Sequence, residues 1–473
     1  MTGLPGGSDA ACRPEHPVLL RRSLEGIGLG ASAVADYLDL RRVAEGLLDT
    51  GRVPEQARRT WIVPGRIEVL GKHVDYAGGR SLLCAVERGL VIVARPRTDR
   101  QLVLHDARRG DVLTLPFDGS ARHLPSWSVY PRTVLHRLLR NFGEAVGGAD
   151  IAIASNLPSA AGVSSSSALT VGLSLAVAGV SGLSAHPVWQ ETFTARTALA
   201  GYVGALENGM DFGALSGERG VGTLGGAQDQ TAILCSSPGA LAMFQWAPVT
   251  WEQVVPWPET HRFVIGVSGV TASKAAGAKE RYNRAARTAH RLVEGWNAQA
   301  RASGAPPVRS LREAFVAAAA GETPREVPEP LIASSRAVAD AEFTARHLEA
   351  RLEQFFDETF VFVPEAAAAL AAGDLAAFGA LVDRSQAGAE RALENQVAET
   401  IHLQRFAREL GAEAASAFGA GFGGSVWAMI PADQAEEFSA RWRERYVRAH
   451  RQAASRAQFF TTAPSHPAFE VAD

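Results

Sequence analysis

A chain of 473 residues is too long for one ordinary core and calls for two domains, or for one large α/β unit with an appended lobe. Its 47 Lys plus Arg stand against 50 Asp plus Glu, and the net charge of −3 leaves no global field for nucleic acid or an anionic membrane. Cys12, Cys84 and Cys235 are odd in number, far apart and without CxxC spacing, which argues against a disulfide framework or a zinc site and fits a reducing cytoplasm.

The opening MTGLPGGSDAACRPEHP lacks the basic start and apolar run of a signal peptide and reads as a loose tail. Apolar residues recur at helical spacing from Leu24 to Leu48. The pattern then becomes strand-like in IVPGRIEVLGKHVDYAGGRSLLCAVERGLVIVARP, with strands expected around Ile67 and Val69 and from Leu90 to Ala94. The turn between them carries Gly71, Lys72, His73, Asp75, Tyr76, Gly78 and Gly79. Together with Arg66 it suits a polyhydroxylated ligand, or else a hairpin with Asx-type turn chemistry. LVLHD and VLTLPF add strands of a mixed sheet, and SWSVYPRTVLHRLLRNFGEAVGG reads as a helix.

Next comes NLPSAAGVSSSSA, Asn156 to Ala168, between the apolar strand Ile151 to Ser155 and an uncharged helix-length segment. Small loop residues admit close approach to a ligand, and the first free N–H groups of a helix favour an anion. The loop reads as a phosphate cradle or as a serine-rich N-cap on a core helix. It is not a Walker A loop, because no Gly-Lys-Ser/Thr follows. Ala168 to Ala185 is diluted by glycine and serine and lacks basic flanks, so it is expected to be a buried helix rather than a membrane span.

Thr192 to Gly209 is again helical and runs into an irregular Gly-rich insertion, MDFGALSGERGVGTLGG. In GAQDQTAILCSSPGALAMFQW, Asp229 opens an apolar run, either as a helix-terminal charge or as a general base. A second half begins near Thr250 with the strand HRFVIGVSGV and a basic helix read as a solvated face. Ala-rich helices fill Pro328 to Leu410. Gly421, Gly423 and Gly424 of FGAGFGGSVWAMI then precede an apolar strand, as a backbone-approach loop or a hinge.

PGRIEVLGKHVDYAGG, NLPSAAGVSSSSAL and GAGFGGSVWAMI resemble, in order and spacing, the three signature motifs of the GHMP small-molecule kinases. The first motif, with GGAQDQ, is similar to the galactokinase-like members, and the resemblance covers Trp61 to Ile430. It implies a two-lobed α+β fold of mixed and antiparallel sheets and helices, with the active site in the cleft. The divisions expected are an N-terminal tail and helical region over 1–60, a domain with the phosphate loop over 61–250, and a C-terminal domain over 251–473. The activity implied is ATP- and Mg2+-dependent phosphorylation of the anomeric hydroxyl of galactose or a related sugar.

Carried over residue by residue, Asp229 matches the family's catalytic carboxylate and Arg66 the arginine that pairs with it and faces the γ-phosphate. An opposite charge within ~4–6 Å favours the ionised form of a carboxylate. Pro158, Ala161, Gly162, Val163, Ser164, Ser165, Ser166 and Ser167 match the nucleotide loop, with Ser166 and Glu207 as magnesium ligands and Glu218 a competitor for the second. On the substrate side are Lys72, His73, Asp75, Gly226 and Tyr282, with Gly421 and Gly423 in the buttressing glycine loop.

One departure stands out: Gly71-Lys72-His73 replaces the family's Gly-Glu-His and reverses a charge on the sugar side. An ammonium can only donate and pairs best with an anion. The substrate is therefore either an anionic sugar such as galacturonate, or a neutral sugar with Lys72 turned to solvent or to a nearby carboxylate. A non-catalytic regulator that binds ATP and sugar, and a kinase of a non-sugar alcohol such as mevalonate or homoserine, are the remaining alternatives. Neither nucleic acid nor membrane is an expected partner, and the chain is expected to be cytoplasmic and a monomer or weak oligomer.

Overall fold

The computed structural model describes residues 15–48, 58–158, 162–270 and 277–471. The strands, in chain order, are β1 Arg59–Leu70, β2 Arg80–Arg97, β3 Gln101–Asp106, β4 Asp111–Pro116, β5 Gly148–Ser155, β6 Ala240–Gln245 and β7 Thr250–Pro256. They continue as β8 His261–Val267, β9 Ala414–Phe418, β10 Ser425–Pro431, β11 Gln458–Thr462 and β12 Phe469–Glu470. The first sheet runs β12-β1-β2-β5-β3-β4, with β6 on the early half of β2 and β7 on β6. The pair β3–β5 is parallel and its neighbours are antiparallel, so this sheet is mixed. The second sheet, β11-β8-β10-β9, is antiparallel. The architecture is the expected α+β one.

β1 is buried along almost its whole length because helices cover both faces of the sheet. On one side lies the Ser165–Val180 helix, the uncharged segment after the serine loop. It is buried on most sides, as a helix apolar all round must be. Its Gly172 leaves room for Ile92, whose Cδ1 lies 2.4 Å from where a β-carbon would sit. Among the described residues, no helix is long and apolar enough to cross a membrane.

The other face is covered by the Ala31–Leu48 helix, whose buried Val34, Tyr37, Arg41, Ala44 and Leu48 recur every three or four residues and form one stripe. That stripe packs on Ile62, Val91, Val93 and Ala152. The periodic stretch expected from Leu24 to Leu48 is two helices, Glu15–Gly26 and Ala31–Leu48, with Gly28 at φ +84° between them.

β7 closes the first sheet and β8 opens the second, so the crossing falls between Pro256 and His261, a few residues beyond Thr250. The chain crosses back at its other end, where β12 pairs with β1. Helices of the second half enclose the 71–79 turn: Val74 and Ala77 share a buried cluster with Leu292, Phe315 and Phe355.

Candidate active site

Arg66 and Asp229, 163 residues apart in sequence, meet at the junction of these layers, where Arg66 Nε donates to Asp229 Oδ1 at 2.7 Å. The arginine side chain is 4% exposed and the aspartate 26%, so the pair is anchored on one side and open on the other. Asp229 lies in the first turn of the Gln228–Cys235 helix, yet its carboxylate is not spent on capping. Its Oδ2 accepts from Ser164 Oγ, and from Ser167 Oγ at 3.2 Å. Ser167 Oγ also lies 3.2 Å from Glu207 Oε2, which Gln230 Nε2 holds as well.

The serine loop is shaped for this. Ser164 stands at the N-cap position of its helix in the left-handed region, φ 56°, and makes no side-chain cap bond. A non-glycine residue there costs on the order of 1–3 kcal/mol, held in place by its surroundings. Its hydroxyl points to Asp229 instead, which decides against simple helix capping. The first-turn N–H groups of the helix have no intrahelical acceptor, and Ser165, Ser166 and Ser167 line a cavity of about 600 Å³. The carbonyl oxygen of Gly162, a residue at φ +76°, accepts from Arg66 Nη1. A β-carbon on Gly162 would lie 3.2 Å from the Phe418 carbonyl oxygen, so the serine loop and the 418–424 glycine loop pack back to back.

The 71–79 turn forms the other wall, with Asp75–Ala77 as a short 3₁₀ helix. Asp75 accepts from the Gln228 N–H at 3.4 Å. Burial, followed by the nearby Asp229 charge, pushes its carboxyl up to about 6. His73 is pushed down to about 4, first by burial and then by Arg351. It is therefore neutral at pH 7, and both ring nitrogens are engaged: Nδ1 with Tyr76 Oη at 3.0 Å, Nε2 with the Ala420 carbonyl at 3.2 Å. With Nε2–H donating to the carbonyl, Nδ1 accepts from the tyrosine hydroxyl. The ring borders the cavity while bracing it. Tyr282 lies against it with ring centroids 5.4 Å apart, and burial raises its phenol well above the ordinary range.

Of the residues singled out from sequence, Arg66, His73, Asp75, Tyr282, Gly162 and Ser164 line the cavity. So do Ser165, Ser166, Ser167, Glu207, Gly226 and Asp229, and Gly421 and Gly423 close the same wall. Pro158 and Val163 are buried behind it, Val163 accepting the Arg66 N–H at 3.4 Å. Ala161 lies outside the described residues. Glu218 is not among the lining residues.

Lys72 is not among them either. It is 2% exposed, and its Nζ donates to Ser385 Oγ at 2.8 Å. Ser385 in turn donates to Glu358, whose other oxygen accepts the Gly71 N–H at 2.8 Å. The ammonium thus points into the helices of the second half, toward a buried hydroxyl and carboxylate. Its partners lie about three hundred residues away, beyond the reach of sequence reading.

Several lining residues escaped the sequence reading. Glu68 shares a strand face with Arg66, a position that pleating alone reveals. Burial pushes its carboxyl up to about 8 despite Arg66 and Lys72. At the far end Trp127 and Tyr130 give an aromatic wall, with Arg109 5.0 Å from the Trp127 ring centroid. Lys279 borders the opening and donates to the Val221 carbonyl at 3.1 Å.

Chemically, the cavity offers an acceptor carboxylate paired with a buried cation, a helix N-terminus for an anion and an aromatic slot. Ser166, Glu207 and Asp229 supply hydroxyl and carboxylate oxygens, the hard donors that suit magnesium. Among the described residues, no group of three or more His, Cys, Asp or Glu is disposed to cage a metal. Magnesium sites built on phosphate oxygens and water need only one or two carboxylates.

Three family profiles match the chain: a galactokinase galactose-binding signature over residues 51–96, the GHMP kinases N terminal domain over 129–237, and the GHMP kinases C terminal region over 366–448. The galactokinase of Roseiflexus sp. (strain RS-1) is 27% identical over 401 residues, spanning 83% of this chain and 90% of that protein. The galactokinase of Streptomyces coelicolor (strain ATCC BAA-471 / A3(2) / M145) is 36% identical over 156 residues, 32% of this chain and 39% of its own. Among solved structures, the Lactococcus lactis galactokinase complexed with galactose has a TM-score of 0.70 and 23% identity, covering 91% of this chain and 99% of that one. At that identity the likeness speaks to the fold alone.

Proposed function

We propose, for a chain that belongs to the GHMP kinase family and carries its galactokinase signature, that the cavity transfers the γ-phosphoryl group of ATP to the C1 hydroxyl of galactose. The observation that carries the reading is the convergence of Arg66 and Asp229, at 2.7 Å, between the serine loop and the His73–Asp75 turn.

In this mechanism Asp229 accepts the proton of the C1 hydroxyl as that oxygen bonds to the γ-phosphorus and the bond to the β-phosphate bridging oxygen breaks, releasing ADP. Phosphoryl transfer needs mainly positioning and charge neutralisation. Arg66 holds Asp229 in place and faces the γ-phosphoryl oxygens, and the first-turn N–H groups at Ser165, Ser166 and Ser167 cradle the phosphates. Trp127 and Tyr130 take the base. The Ser166 hydroxyl and the Glu207 carboxylate would hold magnesium, which when bound neutralises charge on the β- and γ-phosphates. Asp75 and Tyr282 hydrogen-bond ring hydroxyls, and Gly226 gives them room: a β-carbon there would lie 2.6 Å from Asp75 Oδ2.

The galacturonate alternative loses its motive, because the Lys72 ammonium is committed to Ser385. The test is ADP release with galactose, galacturonate, mevalonate and homoserine, with phosphorus NMR to locate the new ester and Asp229→Ala as control. Galactose 1-phosphate from the natural chain and none from the variant is expected. No ADP release with galactose would refute the reading, and activity surviving in Asp229→Ala would remove that residue from it.

A further inference from the structure

Glu68 lies two residues beyond Arg66 on β1, so both side chains project from the same face of the strand into the cavity wall. It is displaced from the serine loop toward Gly71 and the sugar-side turn. The side chain is 4% exposed and its orientation is fixed from behind. Oε2 accepts from Gln228 Nε2, and the Gln228 amide is aligned by Ser81, whose Oγ lies 3.2 Å from Gln228 Oε1. Trp246 Nε1 donates to the same Ser81 oxygen at 3.0 Å. Oε1, by contrast, is buried with no hydrogen-bond partner among the described residues. An unpartnered buried polar atom is destabilising, and buried polar groups are normally paired.

We propose that Glu68 is a specificity-determining residue whose Oε1 hydrogen-bonds one non-anomeric hydroxyl of the sugar, an inference that rests on the sugar-kinase reading above. The anomeric hydroxyl belongs to Asp229, and Glu68 stands on the turn side of it. Since Oε2 is an acceptor for Gln228 and burial keeps the group protonated, the proton of the neutral acid resides on Oε1. The free atom is an O–H donor, a role an amide can reproduce. A sugar lacking the matching hydroxyl leaves that donor unpaired and is rejected.

The experiment compares the natural chain with Glu68→Gln and Glu68→Met on galactose and its 2-, 3-, 4- and 6-deoxy analogues, by ADP release at saturating ATP, and with ATP varied at saturating galactose. Glu68→Met should raise the KM for galactose by about tenfold or more, with kcat and the KM for ATP within about threefold. Glu68→Gln should stay within about threefold of the natural chain. For one deoxy sugar, the natural chain and Glu68→Met should have the same KM, which identifies the hydroxyl. Glu68→Ala serves the same comparison should Glu68→Met fail to fold. A KM for galactose unchanged in the apolar variants, or raised equally for every deoxy sugar, overturns the inference while leaving the kinase reading intact. No galactose-dependent ADP release from the natural chain overturns both.

Discussion

Replacing Arg66 by Lys tests whether one guanidinium couples the two ends of the site. Its Nε–H goes to Asp229 Oδ1 at 2.7 Å, its Nη1–H to the Gly162 carbonyl, and its Cζ lies 5.9 Å from the Phe418 ring centroid. Lysine keeps the charge but concentrates its donors on one atom, so it cannot hold the carboxylate and the carbonyl in the same fork. Losing one hydrogen bond to a charged group costs about 1.5–3 kcal/mol of stability. Misplacing a cation aimed at developing charge costs about 2.7–4 kcal/mol in the transition state, or 10²–10³ in kcat. The KM for galactose should stay within about threefold, because Arg66 contacts phosphate rather than sugar in this mechanism. ADP release and thermal unfolding measure the two effects separately. In thermal unfolding, Arg66→Lys should cost far less in the Asp229→Ala background than it does alone, since residues in contact are non-additive. An Arg66→Lys enzyme within about threefold of normal kcat, or a double variant whose stability losses simply add, would refute the reasoning.

Gly226→Ala places a β-carbon 2.6 Å from Asp75 Oδ2 and 2.9 Å from the Asp75 backbone. Such overpacking costs about 1–3 kcal/mol, and sugar kinetics should record a KM for galactose raised about tenfold or more. Lys72→Glu sets a second carboxylate beside Ser385 and Glu358. Denaturant unfolding should report a loss of about 3–5 kcal/mol, while galacturonate remains a non-substrate before and after the change. The pH dependence of stability has a definite sign. Glu68 is raised from 4.5 to about 8, so its contribution is fully present below 4.5 and lost as pH rises toward 8. His73, lowered from 6.5 to about 4, acts oppositely and has run its course above 6.5. Between pH 6.5 and 8, Glu68→Gln should therefore gain on the natural chain by up to ~1.4 kcal/mol per pH unit in thermal unfolding. A parallel pair of curves would exclude a buried neutral Glu68.

The serine loop, the 418–424 loop and the 71–79 turn were legible because each depends on glycine or serine at backbone positions no other residue fills well. Gly162 at φ +76° and Gly423 at φ +121° bear this out. Strand alternation found β3, β4 and β5, and the uncharged run after the serine loop correctly read as a core helix. What stayed hidden depends on direction rather than composition. Lys72 and His73 are neighbours, but His73 takes φ 57°, and the pair diverges, one into a helical core and the other along the cavity wall. Glu68 looked like one more strand residue, and its role follows from Gln228, 160 residues later. The aromatic wall at Trp127 and Tyr130 belongs to no motif. β12 is two residues long, too short for any periodicity to register.

That short strand has a consequence for how the protein is made. Glu470 pairs with Arg59 through two hydrogen bonds across 411 residues, and Val471 N–H reaches the Thr60 carbonyl at 2.8 Å. At ribosomal rates of roughly 5–20 residues per second, the outer edge of β1 waits about 20–80 s for its partner. Throughout that interval the nascent chain presents an open β-edge on the strand that carries Arg66. The first sheet, though synthesised early, is completed last, and chaperone demand should fall on this edge.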